Sequence, residues 1–408
     1  MSCGFTRQIK ISQKNPHRQR KVIKIIATLA KNRNEMKVER EIAWFSLPFA
    51  AGVIAAAYAA DVPAVTESIF ASSALYAAAA FMACLIITSG KTQYTGYAPI
   101  LVCAMSLACG LFTGITGHMR AACCPEVQGA AAARLASVGA AMGAHIDTIS
   151  FSDSVTNAVI KALLTGDRSS LPPETAESFR SSGASHILAL SGLHLGIIYM
   201  IISRSLTFAG NSPAALRLRS ILTILLCGTY TLATGAGDSI TRAFIFILAG
   251  ETAKLTGRHR STAGIMLASL FLQLAADPTA AKNAGFQLSY AAMAGIAFIF
   301  PFLKNFWHYG TQQRPPHGGL LQHMWNSAAL SISCQMTAGP IAYLYFGTFP
   351  KHFLLTNLIA LPLTGFIIPI SILVIAASMA GVCPAWLLRT AEAVVNALSY
   401  SLRIISGM

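Results

Sequence analysis

His186 to Ile202 reads HILALSGLHLGIIYMII. The stretch is apolar enough to lie in a bilayer, yet its first half holds His186, Ser191 and His194, and Gly192 interrupts it. A plain anchor has no use for such residues, because a polar side chain in lipid must find a partner. On a helix, Ser191 and His194 are three apart and share a face, so they can hydrogen-bond each other. Three readings stay open on these residues alone: close helix packing with satisfied polar groups, the lining of a substrate pathway, or a catalytic Ser/His pair.

The surrounding composition decides the class. Of 408 residues, 54% are hydrophobic and only 11% are charged, against roughly 25% charged in an ordinary soluble domain. Mean hydropathy is +0.57. No single soluble core absorbs that much apolar surface. The expectation is an all-α polytopic membrane protein, a bundle of about nine to twelve transmembrane helices at roughly 20 residues each. The expected spans are 42–60, 68–88, 98–118, 184–203, 218–234, 239–255, 262–276, 284–303, 327–346, 352–377 and 385–405. Several are short or broken by Gly and Pro, as segments that line a pathway between helices are. The run 352–377 reads as one tilted span or as two half-spans around Pro362 and Pro369.

Charge orients these spans. Residues 1–40 carry eleven Lys and Arg against Glu35 and Glu39, a net +9 in the first tenth of the chain. That basic segment is expected on the cytoplasmic side, where it can also meet anionic lipid or nucleic acid. Met36 opens MKVEREIAWFSLPF, which reads as a natural start, with residues 1–35 as an upstream extension. From a cytoplasmic N-terminus, Lys and Arg alternate as the rule requires. Lys91, then Arg204, Arg217 and Arg219, then Lys254, Arg258 and Arg260, then Lys304 and Arg314 fall inside. Asp61, Glu67, Asp238, Asp277 and Lys282 fall outside.

The chain accordingly divides into a basic segment (1–40), N-terminal transmembrane helices (41–118), an extracytoplasmic helical connector (119–183) and a transmembrane core (184–408). In the connector, 129–150 is Ala-rich with Arg134, His145 and Asp147 as polar points, and reads as an amphipathic helix beside the outer membrane face. Asp153 is placed to cap a helix through Leu164, Gly166 to end it, and Pro172–Pro173 to start the next. Nine cysteines occur with no CxxC pair; most lie in apolar runs, where Cys acts as a small hydrophobe. The adjacent Cys123 and Cys124 are not expected to form disulfides.

Four polar constellations stand out. The first is 165–196, which contains the opening stretch. The second is TGAGDSITRAFIF (234–246), where Asp238 and Arg242 are four apart. An i,i+4 ion pair is the natural expectation, and a phosphate contact by Arg242 in a polar passage is the alternative. The third is DPTAAKNAGFQLSYAAMAG (277–295), where Gln287 and Ser289 enter a helix beside Phe286 and Tyr290. The fourth comprises 334–350 and 355–369, broken by Pro340, Pro350, Pro362 and Pro369 and carrying Gln335, Thr337 and Asn357. The sequence holds no G-x-x-x-x-G-K-[ST] loop and no H-E-x-x-H helix. Leu190–Ser191–Gly192 lacks the glycine two residues before serine that G-x-S-x-G requires. No metal, cofactor or catalytic residue is therefore expected. The candidate pathway or structural residues are His186, Ser191, Gly192, His194, Asp238, Arg242, Gln287, Ser289 and Asn357.

Taken in order, LLTGDRSSLPPETAESFRSSGASHILALSGLHLG (163–196), SITRAF (239–244) with GR at 257–258, DP at 277–278 with GFQLSYAA (285–292), and PIAYLYFGTFP with NLIALP (340–362) resemble the ComEC competence family. The resemblance covers roughly 155–380 and extends loosely over the earlier spans. It implies an inner-membrane channel that admits single-stranded DNA during natural transformation, its polar residues lining or bracing the passage. The implied partners are single-stranded DNA, membrane lipid, a periplasmic DNA receptor, a cytoplasmic helicase and a second copy of the chain. Longer members carry an oligonucleotide-binding-like domain after the early spans, whereas residues 119–183 read as helical here. They also end in a metallo-β-lactamase-like domain, and none is read before Met408, so the resemblance implies a separate nuclease, or else a chain that is a fragment or a divergent member. A transporter of another solute on the same bundle, or an intramembrane hydrolase using Ser191 and His194, are the competing functions.

Overall fold

The computed structural model describes residues 39–59, 98–123, 130–210, 212–257, 261–306, 320–347, 349 and 351–407. The helices in chain order are α1 (Glu39–Ala59), α2 (Ala98–Cys123), α3 (Ala130–Asp147), α4 (Ser154–Thr165), α5 (Pro173–Ser181), α6 (Ser185–Leu188), α7 (Gly192–Ser205), α8 (Pro213–Ala233), α9 (Asp238–Thr256), α10 (Thr262–Ala276), α11 (Ala284–Ala294), α12 (Phe300–Phe306), α13 (Leu320–Phe346), α14 (Phe353–Met379) and α15 (Ala385–Ser406). The described residues form no strand. Five helices are long and apolar enough to cross a membrane among those described: Glu39–Ala59, Val102–Met119, Pro213–Ala233, Ala284–Lys304 and Phe353–Met379. The chain is an all-α polytopic membrane protein.

The expected spans fall on helices wherever they are described; 68–88 lies outside the described residues. Residues 262–276 form α10 to the residue. The expected span 184–203 is two pieces, α6 and α7, with extended backbone at Ala189 and Ser191 between them. Residues 284–304 are continuous, but a π turn at Gly295–Ile299 joins α11 to α12. The turn sits where Gly295 meets α13: a Cβ at Gly295 would overlap the Ser333 carbonyl oxygen and crowd Thr337. Only glycine lets the two backbones approach so closely, and the extra residue of the π turn accommodates the contact. α14 runs unbroken through Pro362 and Pro369, which settles the choice between one span and two half-spans. α15 occupies 385–405 but is amphipathic. It buries Leu387, Ala391, Val395, Leu398 and Leu402, spaced three or four apart, and keeps Arg389 and Arg403 exposed.

The connector follows its punctuation. Asp153 caps α4 by accepting the Val155 amide, Gly166 ends it in the left-handed region at φ 79°, and Pro173 opens α5. Yet α4 is not peripheral. Leu163 and Val159 pack with Ile198 of α7, Ile367 of α14 and Leu398 of α15 in the largest apolar cluster. Polar ties hold it there. The Tyr230 hydroxyl donates to the Leu164 carbonyl at 2.7 Å, and the Ser152 amide donates to the Glu392 carboxylate. Asn157 donates to the carbonyls of Ile146 and Ile149, closing the α3–α4 turn. A second cluster joins Phe49 and Val53 of α1 to Leu274 of α10 and Phe286 of α11.

Candidate functional site

The break before α7 is built by Ser191. Its backbone is extended (φ −121°, ψ 170°) and its side chain accepts the Leu193 amide at 3.3 Å, so it caps the helix. His194, three residues on, reaches back: its Nδ1 accepts the Ser191 amide at 3.3 Å and stands 2.8 Å from the Ser191 hydroxyl. The result is a capping box in which histidine takes the place usually held by Glu or Gln. An Nδ1 that accepts leaves the ring proton on Nε2. His194 is 1% exposed, and its Nε2 is buried without a partner among the described residues. His186 has the other arrangement, donating from Nδ1 to the Gly183 carbonyl at 3.1 Å from an exposed position. The histidines thus serve local backbone structure in opposite tautomers. The glycines of this stretch do not mediate tight packing. A Cβ at Gly192 would make an ordinary 3.5 Å contact with Ala243, and at Gly196 it would meet nothing within 4 Å.

The N-terminal end of α9 is the second centre. The expected Asp238–Arg242 ion pair is not among the ion pairs of the described residues. The Asp238 carboxylate instead takes the Asn283 amide, and its backbone carbonyl accepts Gln273 Nε2 at 3.0 Å. Asn283 already caps α11 by accepting the Gly285 amide, so its side chain links that helix end to α9. Arg242 donates to Ser239 Oγ at 3.2 Å, and its guanidinium carbon lies 5.3 Å from the centre of the Tyr290 ring. Arg242 is 7% exposed and its Nη1 has no partner among the described residues. A stacked cation on an aromatic face is favourable, but a buried guanidinium with a free donor still seeks an acceptor.

The other expected residues are divided between this centre and bracing roles. Ser289 donates to Ser239 at 3.2 Å and so belongs to the α9–α11 network. Gln287 donates to the Ala281 carbonyl at 2.8 Å and braces the 3-10 turn Pro278–Lys282. Asn357 on α14 has a buried Oδ1 without a partner among the described residues, beside Thr356, whose hydroxyl ties α14 to the Ser182 carbonyl at 2.7 Å. Ser191 and His194 do not contribute to the Arg242 network.

Two features escape a reading of the sequence. Tyr290 donates to Gln273 Oε1 at 2.7 Å and lies 3.0 Å from Ser269 Oγ, so α10 joins the network through residues that look like ordinary helix interior. At the opposite end of α9, Glu251 is 3% exposed and accepts from Tyr199 (2.7 Å), Ser220 (2.7 Å) and Lys254 (2.6 Å), drawing α7, α8 and α9 together. Lys254 also donates to the Tyr199 hydroxyl at 2.8 Å. Its signal in the sequence is an acid that interrupts the apolar run of α9 after Ala243.

A family model described as "Competence protein" matches residues 163–408, more than half of the chain. The chain belongs to the competence protein family. Its similarity to "ComE operon protein 3" of Bacillus subtilis (strain 168) is 35% identity over 155 residues, covering 35% of this chain and 19% of that protein. To "Uncharacterized protein YcaI" of Escherichia coli (strain K12) it is 26% over 215 residues, covering 52% of this chain and 28% of that protein. The aligned part is therefore less than a third of either relative. No solved structure matches the chain. The matched region contains both ends of α9, the capping box and Asn357.

Proposed function

We propose that this competence-family chain acts in DNA uptake, as a passage for single-stranded DNA through the cytoplasmic membrane. The observation that carries the reading is Arg242: a nearly buried guanidinium that, among the described residues, has no ion pair and leaves one nitrogen without an acceptor, with an aromatic ring against its face. A phosphodiester supplies the missing acceptor, and bases stack on aromatic side chains in strand-tracking grooves. Asp238, Ser289 and Gln287 hold the helices that present it. On this reading the N-terminus is cytoplasmic, and a DNA receptor, a helicase, a nuclease and a second copy of the chain are the partners.

The test is deletion of the gene followed by uptake of labelled duplex DNA. The expected result is label that reaches the periplasm and becomes nuclease-protected, with none in the cytoplasm and no transformants. Normal transformation in the deletion strain rejects the proposal. Complementation with Arg242→Ala separates the site from the scaffold: a stable membrane protein that fails to restore cytoplasmic label supports the role given to Arg242.

A further inference from the structure

The end of the bundle opposite Arg242 carries a second surface. Tyr199, Ser220 and Glu251 meet in one hydrogen-bonded cluster, which fixes the levels of α7, α8 and α9. Arg204, Arg217 and Lys254, about one turn beyond these residues, therefore lie near a common plane. Lys254 is engaged by Glu251; Arg204, Arg217 and Arg219 are in no ion pair among the described residues. No acid occurs between Tyr199 and Ser220 to neutralise them.

An apolar surface runs directly into this basic end. Leu218, Ile221, Leu225 and Leu232 are all exposed and recur at three, four and seven residues, so they form one stripe along α8. α8 is one of the helices long and apolar enough to cross a membrane, and such a stripe faces lipid. Arg217 stands four residues before Ile221 and closes the stripe at its end. Beside it, the 3-10 turn Leu206–Ala209 that joins α7 to α8 holds Phe208 at 95% exposure. Arginine at the limit of a lipid-facing stripe, with an unshielded aromatic ring at the same boundary, is the composition of a membrane-interface contact.

We propose that this end of the bundle binds anionic phospholipid, with Arg204 and Arg217 contacting the headgroup phosphate and Phe208 set among the first acyl methylenes. The continuity of Arg217 with the stripe on α8, with Arg204 at the same level on α7, favours lipid over nucleic acid, which would not need that stripe.

The experiment uses the full chain in neutral detergent, with phosphatidylglycerol and phosphatidylcholine as probes and bound lipid counted by native mass spectrometry. Phosphatidylglycerol should bind more tightly, and each of Arg204→Gln and Arg217→Gln should weaken it about fivefold, with phosphatidylcholine unchanged. Phe208→Ser should weaken both lipids, and no change there overturns the role given to the ring. Equal affinity of the parent for the two lipids overturns the proposal, as does a well-folded double arginine variant that keeps the preference. Loss of single-stranded oligonucleotide binding in that variant, with phosphatidylglycerol binding intact, assigns the surface to nucleic acid and also overturns it. Should the variant not fold, the parent's preference must fall with added salt; a salt-insensitive preference is a further refutation.

Discussion

The Ser191 hydroxyl and His194 Nδ1 stand 2.8 Å apart, and the Ser191 amide donates to the same ring nitrogen at 3.3 Å. The distance alone would suit a nucleophile and its base. Their other bonds point elsewhere: the hydroxyl also accepts the Leu193 amide, and His194 Nε2 lacks the orienting acceptor that a triad provides. Ser191→Ala should lower stability by about 1 kcal/mol, while Ser191→Asp should restore most of it. His194→Gln should be tolerated, since glutamine serves the same back-bond in a capping box, and His194→Ala should not. Melting temperatures and transformation frequencies of the four variants check this. Loss of transformation in a stable Ser191→Asp protein would mean that the hydroxyl has a second task.

Arg242 should separate function from stability. Among the described residues its guanidinium has no ion pair to break, so Arg242→Met should leave the melting temperature unchanged or slightly raised. DNA uptake should fall at least tenfold. Arg242→Lys keeps the charge but loses planar stacking and the second donor, and should recover only part of the activity.

Glu251 behaves in the opposite way. Removing its carboxylate leaves the Tyr199 and Ser220 hydroxyls without an acceptor and Lys254 without its counter-charge. Glu251→Ala should destabilise by on the order of 3 kcal/mol, and Ser220→Ala or Tyr199→Phe by about 1 kcal/mol each. Denaturation of the purified variants in one detergent measures the difference.

Gly295→Ala should destabilise by about 1 to 3 kcal/mol, the range for overpacking at a tight contact, because the added Cβ overlaps the Ser333 carbonyl. Gly196→Ala, with open space around it, should be neutral or slightly stabilising through helix propensity. The pair tests whether close backbone approach, rather than glycine content, governs this bundle.

The connector should show two pH limits. The hydrogen bond to Asp147 holds the Lys161 ammonium above its ordinary range, and the Ser169 backbone amide holds the Asp167 carboxyl below its own. A raised lysine contributes stability fully below its unfolded pKa, near 10.4, and loses it as pH rises through the higher folded value. A lowered aspartate contributes above its unfolded pKa, near 3.9, and loses it as pH falls through the lower folded value. Stability from this cluster should be flat between those limits and decline outside them, with Lys161→Met removing the alkaline decline. Thermal melts from pH 3 to 11 would reveal it.

Much of the helical layout was legible because its signals are local. Asp153, Gly166 and Pro173 act on their own neighbours, and α10 is bounded by a serine cap and Asp277. The polar partnerships were not, because they cross the chain. Asp238 pairs with Asn283 from 45 residues away, and Glu251 takes its hydroxyls from 52 and 31 residues away. A helical neighbour rule therefore selects Arg242 for Asp238, although tertiary packing offers a better donor. α4 is a similar case. Its caps were readable, but its place at the centre of the largest apolar cluster depends on α14 and α15, some 200 residues later.

Pro362 and Pro369 lie seven residues apart in α14. Each lacks an amide hydrogen, so the carbonyls four residues earlier, those of Leu358 and Gly365, lose their ordinary i+4 amide donor. Seven residues is close to two full turns, which puts both oxygens on nearly the same line along the helix. A continuous membrane helix thereby presents two electronegative points about 10 Å apart, drawn from the main chain itself. Replacing either proline restores the amide that its carbonyl lacks.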